Sequence, residues 1–130
     1  MVVEVAFYLE KSKTSSTPYI LVDEEKKYIQ IKGESYGEHI IEHYTDLNEW
    51  LEDSFNEVCD GFTFDCEMSY FNSSTSKLLM DILLLIDDCA ADGNSITVNW
   101  ICEDGNDIII ECGEDYDDEL EHLTFNLIIR

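Results

Sequence analysis

Tyr70-Phe71-Asn72-Ser73-Ser74-Thr75-Ser76-Lys77 lies between an alternating apolar segment and a Leu-rich one, and its reading decides the fold. Upstream, Phe62, Phe64, Cys66 and Met68 alternate with Thr63, Asp65, Glu67 and Ser69, the period-two pattern of a strand with one covered face. Downstream, Leu78, Leu79, Met80, Ile82, Leu83, Leu84, Leu85 and Ile86 are apolar almost all round a helix, which predicts burial or cover by a partner. Asp92-Gly93 ends that helix. The octet is therefore a strand-to-helix turn carrying a hydroxyl cluster. A helix's first turn leaves backbone N–H groups unpaired and holds the positive end of the dipole, so a phosphate on one of these hydroxyls would be accommodated. The plainer reading, Asn72 or Ser73 as an N-cap followed by ordinary first-turn residues, is the commoner use of such clusters. Between Gly33 and Ile129 the only Lys or Arg is Lys77, one turn beyond Ser73.

Working outward, Ile96, Val98, Trp100 and Cys102 mark a further strand, and residues 125–129 a last one. Between them Asp104-Gly105 ahead of Ile108-Ile109-Ile110 permits a hairpin, but a helix there completes a second right-handed parallel crossover, and we take the helix. On the other side, residues 19–23 and 28–31 form a hairpin around the polar residues 24–27, with Pro18 tolerated at its edge. Residues 11–17 are a polar loop, and residues 2–8 an additional edge strand. Thr45 caps a helix from Asp46 whose Leu47, Trp50, Leu51 and Phe55 fall at helical spacing, and Gly61 stops it. The prediction is one α/β domain over residues 1–130: a central mixed β-sheet with an N-terminal hairpin and a βαβαβ C-terminal part, helices packed on the sheet.

A chain of 130 residues with 45% hydrophobic content is sized for one core. Its formal charge of −23, from 30 acidic against 7 basic residues, opposes capture of nucleic acid or of an anionic membrane surface. That charge serves either solubility or attraction to a basic protein surface. Cys59, Cys66, Cys89, Cys102 and Cys112 contain no C-x-x-C pair and are odd in number, as expected of reduced, mostly buried thiols. Glu4 interrupts the apolar N-terminus, which lacks a basic leader, and no apolar run is long enough to span a bilayer, so a cytoplasmic location is expected.

Two other readings compete, a zinc hydrolase and an acidic decoy, and two more lack their motifs. His39-Ile40-Ile41-Glu42-His43 fits H-x-x-E-H, in which two histidines on one helix face hold zinc while Glu activates water; surface histidines are the ordinary alternative. Serine catalysis lacks a G-x-S-x-G elbow, and nucleotide hydrolysis lacks a G-x-x-x-x-G-K-[ST] loop. An acidic decoy, presenting carboxylates in place of phosphates to a basic partner, rests on charge alone.

With these elements placed, the chain resembles the SiaC family of bacterial regulatory phosphoproteins over nearly its whole length beyond the first dozen residues. Residues 16–20 look like the family's opening strand, and Gly33-Glu34-Ser35-Tyr36-Gly37-Glu38 like its G-x-S-Y-P-E turn, with Gly37 in the proline's place. Residues 70–83 are close to its Y-L-N-T/S-S-S-x-K-x-x-M-D-I-L signature, and Gly113-Glu114-Asp115-Tyr116 resembles its G-E-D-aromatic block, which supports the helical reading of the residues before it. The resemblance implies a fold like the STAS (anti-sigma factor antagonist) domains and a protein without enzymatic activity or cofactor. It implies Ser73 as phosphoacceptor, with Ser74 and Thr75 as alternatives, and Tyr70, Asn72, Ser74, Lys77 and Asp81 as partner-binding residues. Its implied partners are a Ser/Thr kinase of SiaB type, a PP2C-type phosphatase of SiaA type and a diguanylate cyclase, activated by the unphosphorylated form in cyclic di-GMP signalling.

Overall fold

The computed structural model describes residues 5–130. Their strands are β1 (Tyr8–Lys11), β2 (Tyr19–Asp23), β3 (Tyr28–Ser35), β4 (Thr63–Phe71), β5 (Thr97–Cys102) and β6 (Thr124–Ile129), hydrogen-bonded in sequence order in one sheet. β1, β2 and β3 pair antiparallel, whereas β3–β4, β4–β5 and β5–β6 are parallel. The C-terminal half is therefore the expected βαβαβ, with α3 (Ser73–Ala91) and α4 (Asp107–Glu119) as crossovers. A third crossover, between β3 and β4, is the helical run that includes α1 (Thr45–Trp50) and α2 (Asn56–Val58). Parallel strands laid down in sequence order by right-handed crossovers receive all their helices on one face. Accordingly α3 packs against the first helical run while α4 packs on β4, β5 and β6.

Alternation explains the two faces. Ile20, Val22, Ile29, Ile31, Phe64, Cys66, Val98 and Trp100 point under the helices and are essentially unexposed. On the open face, Tyr28 donates to Asp65 at 2.7 Å, Asn99 to the same carboxylate at 2.8 Å, and Asn126 to Asn99 at 3.0 Å, a polar ladder spanning four strands. All five thiols are free, and only Cys112 is not buried.

Several expectations change. The edge strand runs over Tyr8–Lys11 rather than residues 2–8, so Lys11 leaves the polar loop for the sheet; residues 2–4 of that expected strand lie outside the described residues. Thr45 is no cap: a 3-10 turn, Ile40–Tyr44, feeds directly into α1, because burying Ile40 and Tyr44 draws the helical path upstream. A π segment, Leu51–Phe55, then continues it into α2. Nor is α3 apolar all round in effect, since Leu84 is 41% exposed and the buried residues keep to one side.

A one-residue bulge sets the end of β4. Gly33 pairs with Met68 but Glu34 pairs with Tyr70, leaving Ser69 as the extra residue, its hydroxyl donating to the Gly33 carbonyl at 3.3 Å. The bulge inverts the alternation, as bulges do. Phe71 turns inward to meet the Trp100 ring edge-on at 6.1 Å, while Tyr70 turns outward and is 52% exposed.

Candidate functional site

The turn after β4 lies at the carboxyl ends of the parallel strands, where α/β sheets most often place their sites. Asn72 is extended (φ −86°, ψ 178°) and caps α3, its side-chain oxygen accepting from the Thr75 N–H at 3.0 Å and its carbonyl from the Ser76 N–H at 3.0 Å. Its own N–H goes to the Ser35 carbonyl at 3.1 Å, tying the turn to the end of β3.

The four hydroxyls then divide. Thr75 is wholly buried: its Oγ1 lies 2.8 Å from Ser35 Oγ and donates to the Ser35 carbonyl at 3.3 Å, while Ser35 Oγ lies 2.7 Å from the Tyr44 hydroxyl. Burial pushes the Tyr44 phenol upward in pKa, so it stays neutral. Ser76 is held from the other side, its carbonyl accepting from the Tyr116 hydroxyl at 2.9 Å and its Oγ 3.0 Å from the same oxygen. Ser73 and Ser74 remain exposed, and among the described residues neither their hydroxyls nor their backbone N–H groups have a hydrogen-bond partner. Thr75, an alternative acceptor on sequence grounds, is thus sealed beneath the first turn in this structure.

The remaining expected residues flank the same turn. Ser74, Lys77 and Asp81 line a groove of about 310 Å³ between α3 and the first helical run, together with Ile41, Leu51 and Leu85. Lys77 is 80% exposed and pairs with Asp81 at 3.3 Å, an exposed i,i+4 pair contributing at most about 0.5 kcal/mol. On the other side Tyr70, Asn72, Ser73 and Ser76 line a second hollow of about 250 Å³ with Asn106 and Ile108.

Tyr36, Ile108, Ser35, Tyr44 and Tyr116 were not singled out from the sequence as site residues. Tyr36 meets Tyr70 edge-on at 5.7 Å, and Ile108, 77% exposed, stands at the start of α4. Two of the quoted blocks did contain a signal. Gly33-Glu34-Ser35-Tyr36 supplies both the Thr75 partner and an exposed ring. Gly113 lets α4 close on Trp100, since a Cβ there would sit 2.3 Å from the indole, and Tyr116 stacks edge-on to that indole at 5.2 Å before reaching Ser76. Gly37 adopts φ +112°, which a proline ring forbids, so this loop follows a path that the family's usual residue would not allow.

The zinc arrangement is corrected by the same geometry. Three residues per turn in the 3-10 segment place residues four apart about 120° from one another instead of on one face. His39 is exposed outside that segment, and His43 Nε2 is 2.7 Å from the Pro18 carbonyl. Among the described residues no cluster of three or more His, Cys, Asp or Glu could hold a metal.

Comparison with known proteins bears on the family and the fold. The chain is 27% identical over 103 residues, 79% of its length and 82% of the relative's, to an uncharacterized protein of Pseudomonas aeruginosa (strain UCBPP-PA14). Its fold is similar to apo-SiaC of Pseudomonas aeruginosa, with a TM-score of 0.82 at 23% identity, covering 94% of this chain and 98% of that one. It is also similar to a structure of the diguanylate cyclase SiaD in complex with its activator SiaC from that organism, with a TM-score of 0.84 at 26% identity over 94% and 99% of the two chains. The family model for SiaC regulatory phosphoproteins matches residues 11–130, and the chain belongs to that family.

Proposed function

We propose that this protein is a non-enzymatic cytoplasmic switch: unmodified, it binds and activates a diguanylate cyclase, and phosphorylation of Ser73 by a Ser/Thr kinase of SiaB type releases it, a PP2C-type phosphatase of SiaA type restoring the active form. One observation carries the choice of residue. Within a turn whose Thr75 and Ser76 hydroxyls are committed to β3 and α4, Ser73 and Ser74 both present free hydroxyls beside unpaired N–H groups at a helix start, and of the two Ser73 is the one that lines the hollow of Tyr70, Asn106 and Ile108. The activating role is supported by the SiaC relative solved with its cyclase.

Phosphate adds about −1.5 to −2 charge. The unpaired N–H groups and the helix dipole offset part of it, so the fold persists. What changes is the face between Tyr70 and Ile108, where a partner meets a new anion on a chain already at −23. Tyr70, Asn72, Ser74, Lys77 and Asp81 form the partner-binding surface in this reading, and Tyr36, edge-on to Tyr70, and the exposed Ile108 extend it. Ser73→Ala should bind the cyclase as the unmodified protein does, and Ser73→Asp at least about tenfold more weakly, a change of about 1.4 kcal/mol. Incubation with the kinase and ATP followed by mass spectrometry should place the phosphate on Ser73; equal cyclase affinities for the two variants, or a phosphate on Ser74 or Thr75 but not on Ser73, would end this reading.

A further inference from the structure

We infer that the free edge of β6 is a second interaction surface, independent of the Ser73 turn, which accepts an extended, lysine- or arginine-bearing segment of a partner protein as a seventh strand. The Thr124 N–H bonds the Ile96 carbonyl at 2.9 Å and the Arg130 N–H the Cys102 carbonyl at 3.0 Å, so the even-numbered residues of β6 face β5. Alternation then turns the N–H and C=O groups of Phe125, Leu127 and Ile129 outward, and among the described residues no strand lies beyond them.

Exposed edges are normally blunted by charge. The opposite edge obeys this, since β1 is Tyr-Leu-Glu-Lys. β6 reads Thr-Phe-Asn-Leu-Ile-Ile, without a charge, in a chain that carries 30 acidic residues, and Leu127 and Ile129 are 36% and 50% exposed on the helix side.

The neighbouring helix says what chemistry covers this edge. α4, Asp-Ile-Ile-Ile-Glu-Cys-Gly-Glu-Asp-Tyr-Asp-Asp-Glu, has no basic residue. Ile109, Gly113 and Tyr116 face the sheet, and Ile108 and Cys112 face the hollow beside Ser73. At about 100° per residue, Glu114 and Asp117 then occupy the opposite flank, the one on the β6 side. A second copy would bring its own acidic α4 against this one across a two-fold axis, which disfavours self-pairing. A basic strand fits instead: its amides join the ladder, the stems of its long side chains cover Leu127 and Ile129, and their heads reach the α4 carboxylates.

The test uses the whole protein and, as probe, an acetylated, amidated heptapeptide alternating lysine and threonine, with a glutamate-for-lysine peptide as control. Hydrogen exchange followed by NMR should slow by roughly tenfold or more at the Phe125, Leu127 and Ile129 amides with the lysine peptide alone. This protection should weaken with added salt. Ile129→Pro removes an outward N–H while sparing the β5 ladder, and should weaken peptide binding severalfold. The inference is overturned if the lysine peptide shifts only α4 resonances without protecting those amides, if both peptides act alike, or if protection arises without peptide as protein concentration rises, which would assign the edge to self-association.

Discussion

Gly113→Ala sets two effects of opposite sign against each other, and the structure decides which prevails. Alanine is the better helix former by about 1 kcal/mol, so at an unconstrained position in α4 the change would stabilise. At this one the new Cβ meets Trp100 Cδ1 at 2.3 Å, Trp100 Nε1 at 2.6 Å and Leu127 Cδ1 at 2.9 Å. The indole cannot retreat: it is 1% exposed, lies edge-on to Phe71 and Tyr116, and donates to the Ile109 carbonyl at 2.9 Å. Overpacking costs about 1–3 kcal/mol. Losing the indole hydrogen bond adds about 1 kcal/mol or more. Setting the propensity gain against these leaves a net loss of about 1–3 kcal/mol. Urea unfolding followed by circular dichroism should show a lowered midpoint at unchanged slope. Combining Gly113→Ala with Trp100→Phe should cost less than the sum of the single changes, because the smaller ring vacates the contested space. A Gly113→Ala protein as stable as the parent, or more so, would falsify the claim that close approach of α4 to Trp100 dictates glycine here.

The other predictions concern buried polar groups. Asp87 on α3 is 6% exposed and accepts from the N–H groups of Glu121, His122 and Leu123 at 3.2, 2.8 and 2.9 Å. Burial alone would raise its pKa, but these backbone donors outweigh it and hold the carboxyl below its ordinary value. Its stabilisation is therefore full above the unfolded pKa of about 4 and is lost as pH falls through the lower folded value. Asp87→Asn should cost about 1.5–3 kcal/mol at neutral pH, and the gap from wild type should narrow in acid; a pH-independent gap would contradict the assignment. Thr75→Val keeps the shape but removes the hydroxyl from the Ser35–Tyr44 network, which should cost about 1–2 kcal/mol. Combined with Tyr44→Phe it should be non-additive by at least about 0.5 kcal/mol in a double-mutant cycle, and strict additivity would show that the three hydroxyls do not act together.

Where one periodicity governed a segment, the sequence was enough. Phe62 to Met68 had to be a half-covered strand, and the apolar run from Leu78 to Ile86 a long helix. The residues before Tyr116 satisfied both a hairpin and a helix pattern, and the need for a second right-handed crossover, supported by the resemblance of Gly113 to Tyr116, tipped the choice to the helix that is found. What stayed hidden depended on partners distant in sequence. The Ser69 bulge exists only relative to β3, so alternation counted from Phe62 puts Tyr70 inside and Phe71 outside, the reverse of their positions. The start of the helical run at Ile40 follows from burial of Tyr44 under Ser35 and Thr75, which no local cap signal announces. The same 3-10 turn separates the two histidines that a linear motif had joined. At the site, Asn72, Ser73 and Lys77 were legible as a capped and singly basic helix start, whereas the engagement of Thr75 and Ser76 was not, because their partners lie 40 residues away.

That two-sided anchorage bears on how fast and how faithfully a signal could pass. A turn bolted to β3 and to α4 offers one fixed shape to every visitor, so in the switch proposed above an enzyme adding a phosphate, an enzyme stripping it and an effector reading it would all dock on the same few ångströms. They would have to take turns, and the output would follow the relative abundance of the competitors without waiting for the chain to rearrange.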